Sequence, residues 1–97
     1  MGIKNTHKGT TFQHQTKHAG RKFKQLNGIP LTPNLRREFR GLIRERRLMQ
    51  EDSDSVIFLE ESRGYEIYDI NYKGKTHRTV YDPTTKNLVT FLERQER

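Results

Sequence analysis

The order of patterns along the chain predicts an α+β domain, with two N-terminal helices packed on one face of a four-stranded antiparallel sheet. Apolar residues recur at spacings of three and four up to about residue 50. An acidic turn, Glu51-Asp52-Ser53-Asp54-Ser55, follows, and beyond it the pattern changes to short strands separated by turns. At 97 residues the chain has the length of one domain.

Met1 to about Gln13 contains Gly2, Gly9 and three threonines and little apolar content, so residues 1–13 read as a flexible basic tail and residues 14–97 as a single domain. A short helix is expected from about His14 to Asn27. Ala19, Phe23 and Leu26 share its buried face, and Lys17, Arg21, Lys22 and Lys24 occupy much of the rest. Gly20 counts against the helix, whereas Asn27-Gly28 is a good stop because both residues tolerate left-handed backbone. Ile29-Pro30-Leu31 is an extended connector. Thr32-Pro33 then supplies an N-cap and a first-turn proline for a second helix running to about Gln50. Leu35, Phe39, Leu42 and Ile43, extended by Met49, form its buried stripe, and Arg36, Arg37, Arg40, Arg44 and Arg47 cover the other sides.

Strands are expected at Val56 to Glu60, Tyr65 to Lys73, Thr76 to Asp82 and Leu88 to Leu92, followed by a charged tail from Glu93 to Arg97. Tyr68, Ile70 and Tyr72 alternate onto one face of the second strand. Turns fall at Glu61 to Gly64, at Lys73-Gly74 and at Asp82 to Asn87.

Charge is distributed unevenly. Residues 1–50 hold twelve Lys/Arg and two acids, a net of +10, and residues 51–97 hold seven Lys/Arg and ten acids, a net of −3, together the +7 of the chain. Such concentration on one element suits a phosphate backbone, whose condensed counterions are released when cations replace them. Nucleic acid, RNA foremost, is therefore the first expected partner, ahead of an acidic protein and of a merely solvated helix face. No apolar run approaches the roughly 18 residues of a membrane span, no apolar segment follows the basic N-terminus as in a signal peptide, and cysteine is absent. A cytoplasmic protein without a membrane partner is expected.

His14 and His18 lie one helical turn apart, but no third ligand accompanies them, so neither a metal nor another cofactor is expected. A glycine-rich phosphate loop and a serine nucleophile motif are absent. On the third strand His77, Thr79 and Tyr81 share one face and Thr76, Arg78 and Val80 the other, with Asp69 and Asn71 on the neighbouring strand and Thr90 on the last. Attack of an RNA 2′-hydroxyl on its own phosphodiester needs a base, an acid and cations on the phosphate, which such side chains can supply. Spacing alone favours the plainer reading, with tyrosines in the core or at its rim and His77 on a strand surface.

Thr16-Lys17-His18-Ala19 through Arg21, Gly28-Ile29, the second helix, and the run His77-Arg78-Thr79-Val80-Tyr81-Asp82-Pro83 through Leu88-Val89-Thr90 resemble the barnase–EndoU–colicin–RelE group, in particular its small phage and bacterial domains. The likeness covers about residues 16–93. It implies helices followed by an antiparallel sheet, and an activity typical of metal-independent endoribonucleases of toxin type, although some members have lost it. The resemblance matches His18 to a helix-start histidine, Arg78 to the basic residue entering the last hairpin, and Thr90 to a hydroxyl residue of the last strand. His77 joins them on its chemistry alone, and Glu66 and Asp69 stand as base candidates by strand position. The expectation is thus an RNA-binding, RNase-toxin-like domain with His18, His77, Arg78 and Thr90 as catalytic candidates, and an antitoxin or host protein as a further partner. The alternatives are a non-catalytic, phage-type regulator that binds a host protein or nucleic acid, and a ribosome-associated accessory protein.

Overall fold

A computed structural model describes the backbone of residues 3–93 and the side chains of residues 12–93. Helices α1 (Ile3–Asn27) and α2 (Pro33–Met49) precede strands β1 (Val56–Ser62), β2 (Tyr65–Tyr72), β3 (Lys75–Asp82) and β4 (Asn87–Leu92). The strands form one antiparallel sheet in the order β1-β2-β3-β4. Both helices lie on the same face of it, α1 mainly over β4 and α2 over β1 and β2. This is the α+β arrangement expected from the sequence.

α1 starts at Ile3, not near His14, so the segment read as a tail is helical from residue 3 onward; Met1, Gly2 and residues 94–97 of the charged tail lie outside the described residues. Once the packed turns exist, each added residue fixes one pair of dihedrals for one hydrogen bond, so weak helix formers can follow strong ones. Polar anchors to the β3–β4 turn supply the rest. Gln15 donates to Asp82 (2.9 Å) and accepts from Thr85 (2.8 Å), and Asn87 Nδ2 donates to the Phe12 carbonyl (3.2 Å) and to Thr16 Oγ1 (3.0 Å). The helix stops where expected, with Gly28 at φ +78° and its N–H bonded to the Lys24 carbonyl.

α2 is capped by Thr32, whose hydroxyl accepts from Leu35 N at 3.1 Å, and ends at a left-handed Gln50. Phe39 and Ile43 are buried, and Leu35 and Leu42 pack against the core from its edge. Met49 does not extend the stripe. It is 64% exposed, because the helix ends there and the chain turns away through Gln50.

Two-residue turns, Arg63-Gly64 and Lys73-Gly74, connect β1 to β2 and β2 to β3. All four residues have positive φ, the hairpin geometry whose twist matches the strands. The second turn fixes the pairs Tyr72↔Lys75, Ile70↔His77, Tyr68↔Thr79 and Glu66↔Tyr81, and cross-strand partners share a face. His77, Thr79 and Tyr81 therefore point toward the helices, with Tyr68 and Ile70. In β4 a register shift around Val89 lets Leu88 and Phe91, three residues apart, both bury against the helices, while Thr90 and Leu92 pair with Val80 and Arg78 on the far face.

Candidate nucleic-acid interface

The four catalytic candidates do not meet. His18 is exposed on α1. His77 is half-buried beneath the helices, stacked on Phe23 (ring centroids 5.4 Å, 26°) and 5.4 Å from Phe39. Burial, and secondarily the charge of Lys75, hold its pKa below the usual imidazole value. Arg78 and Thr90 lie on the opposite face of the sheet. There Arg78 forms a bidentate pair with Asp69 (2.9 and 3.1 Å), which raises its pKa further. An imidazole packed among phenyl rings on one face cannot exchange protons with a phosphate held on the other. Asp69, a base candidate, is occupied in the same pair.

Glu66, the other base candidate, closes the far end of the helix layer. It accepts two hydrogen bonds from Arg47 (2.9 and 3.2 Å) and one from the Tyr68 hydroxyl (2.6 Å). Burial opposes ionisation of Glu66, but these donors outweigh it and hold its pKa below the ordinary carboxylate range. Burial and Glu66 push the Tyr68 phenol upward. Arg47, expected at phosphate, thus braces α2 against β2, with its guanidinium carbon also 5.9 Å from the Tyr81 ring centroid. Among the described residues no three His, Asp or Glu side chains converge to hold a metal ion, and no helix is long and apolar enough to cross a membrane.

What the fold does assemble is a basic groove. The α1 and α2 backbones make no close approach among the described residues. Their phenylalanines, Phe23 and Phe39, meet edge to face at 6.2 Å over His77 and are buried beneath the space between the helices. A helix turns about 100° per residue, which sorts the expected phosphate contacts. On α1, Lys17 and Lys24 lie at spacings of three and four from Gly20, on the side toward α2. Arg21 points outward, and Lys22 and His18 fall on the opposite flank. On α2, Arg36 and Arg40 share the stripe that faces α1, and Arg37 and Arg44 lie one step toward solvent. Glu38 and Glu45, the only acids of α2, sit on its other side.

Arg36 reaches across the groove. A Cβ placed on Gly20 would lie 3.3 Å from Arg36 Nη2, so the guanidinium rests against bare α1 backbone. Its Nη1 is buried without a hydrogen-bond partner among the described residues. Burial, and then the charge of Arg40, pull its pKa down from the free value. Ion pairs among the described residues involve only Arg46, Arg47 and Arg78, so Lys17, Arg21, Lys22, Lys24, Arg36, Arg37, Arg40 and Arg44 have no carboxylate partner there. Sequence reasoning had the cations but missed the role of Gly20, which only the packing of the two helices discloses.

Compared with protein-family models, with curated proteins and with solved structures, the chain has no significant match.

Proposed function

We propose that this protein binds nucleic acid, RNA foremost, by laying the phosphate backbone along the groove and rim of its helix layer. The observation that carries the reading is the set of cations on α1 and α2 with no carboxylate partner among the described residues. Arg36 and Arg40, flanked by Lys17 and Lys24, grip phosphates in the groove, and Arg21, Arg37 and Arg44 add contacts at its rim. These contacts read the backbone and carry no base specificity by themselves.

The binding role needs no catalytic centre. His18, His77, Arg78 and Thr90 are divided between a helix flank and two sheet faces, which favours a non-catalytic regulator of the cytoplasm over an endoribonuclease of toxin type. Incubating the pure protein with labelled RNA over a salt series in EDTA tests both points. The expected outcome is binding that weakens steeply with salt and leaves the RNA intact. Salt-independent binding, or none at low salt, would overturn the proposal, and 2′,3′-cyclic phosphate ends would restore the catalytic reading.

A further inference from the structure

We infer that Arg36 and Arg40, with the bare α1 backbone at Gly20, form a phosphate notch that takes one backbone phosphate of the bound nucleic acid between the two guanidiniums. The inference rests on the nucleic-acid reading and names the contact on which that reading turns.

Gly20 sits in the interior of a 25-residue helix, where glycine is a poor helix former. Its positive contribution is space, since even a methyl group there would press on the Arg36 guanidinium at 3.3 Å. The chain thus keeps a helix-weakening residue at the point where Arg36 crosses from α2 to α1. Having crossed, Arg36 finds no acceptor for Nη1 among the described residues, because the acids of α2, Glu38 and Glu45, lie on the other side of that helix. Glu38 instead accepts from the Tyr72 hydroxyl at 3.1 Å. A second guanidinium, Arg40, follows one turn later on the same stripe. Two like charges side by side repel, and Arg40 lowers the pKa of Arg36 for that reason. An anion between them relieves the repulsion.

The geometry favours phosphate over carboxylate. One arginine fork can occupy both oxygens of a carboxylate, whereas the oxygens of a phosphate can accept from two guanidiniums at once. Lys17 and Lys24 flank Gly20 on α1, so a backbone passing through the notch meets cations before and after it.

The test compares RNA affinity, measured with a short single-stranded RNA, for the parent protein and for Arg36→Lys, Arg63→Lys and Gly20→Leu. In parallel, the side-chain Nε–H resonance of Arg36 is followed while inorganic phosphate or the RNA is added. Arg36→Lys keeps the charge but loses the fork, and roughly ten-fold weaker binding is expected. Arg63→Lys, in the exposed β1–β2 turn and outside the proposed interface, should change affinity by less than about two-fold. Gly20→Leu leaves every charge in place and fills the notch, and it should weaken binding as Arg36→Lys does, with a helical spectrum like the parent's. Both anions should shift the Arg36 resonance. If Arg36→Lys and Gly20→Leu bind RNA as tightly as the parent, the notch is wrong although the helix layer still binds RNA. If no RNA binds at all, the wider reading fails. The notch then stands only if inorganic phosphate still shifts Arg36 in the parent, and it is overturned if Arg36 does not respond.

Discussion

Replacing Phe39 by alanine removes the side chain on which both helices and the sheet converge. Phe39 is fully buried, and its ring centroid lies 6.2 Å from Phe23, 5.5 Å from Tyr72, 5.4 Å from His77 and 6.0 Å from Phe91. Truncation forfeits roughly 100 Å² of buried apolar surface, about 2.5 kcal/mol at about 25 cal/mol per Å². The neighbouring rings come from α1, β2, β3 and β4, and no single adjustment brings all of them into the space, so a cavity remains. With the cavity and the missing edge-to-face ring pairs the expected cost is about 3–5 kcal/mol. A chain of this size has roughly 5–15 kcal/mol in total. Urea unfolding followed by circular dichroism measures the change, and the midpoint should drop sharply with little change in slope. Met49→Ala, on the same helix but 64% exposed, should stay within about 0.5 kcal/mol of the parent. Equal midpoints for Phe39→Ala and the parent, or an equal loss in both variants, would falsify the assignment of the helix face.

Arg37→Ala combined with Arg44→Ala should reduce the slope of log K against log salt for RNA binding by about one unit for each phosphate that the pair no longer neutralises. An unchanged slope would remove both residues from the interface. His77 is held neutral by burial, with a folded pKa below that of the unfolded chain. The unfolded state then binds more protons, so the contribution is complete above about pH 6.5 and declines as pH falls from there toward the folded value. A urea series between pH 8 and 5 should show this loss, and His77→Phe should abolish that part of it; an equal loss in the variant would place its origin elsewhere. Arg78→Ala, on the sheet face away from the helices, should leave RNA affinity within about two-fold when only folded protein is counted, and a large loss would move the interface to that face.

Much of this architecture is written in local residue order. The Thr32-Pro33 start, the Asn27-Gly28 stop and the spacing of Ala19, Phe23, Phe39 and Ile43 follow from backbone preferences and helical periodicity, which act over a few residues. The cationic character of the helices needs only a count. The face of His77 was also within reach. A two-residue turn at Lys73-Gly74 sets the register, and the register places His77 opposite Ile70. Treating His77 as a surface residue missed that consequence.

Other features depend on groups far apart in the chain. The polar anchors of α1 join Gln15 to Asp82 and Thr16 to Asn87, 67 and 71 residues away, so residues 3–13 alone give no sign that the helix extends through them. The register shift at Val89 overrides strict alternation because Leu88 and Phe91 gain more by burial than the strand loses in one ladder pair. The sequence by itself determined which residues carry charge and which must be buried. Tertiary structure decided which charges meet carboxylates and which do not. It paired Arg47 with Glu66 and Arg78 with Asp69, and left Arg36 resting on Gly20 with no carboxylate partner among the described residues. An ion pair depends on the distance between groups after folding, and helix packing alone fixes how close Arg36 comes to Gly20, a position on α1 that has no side chain.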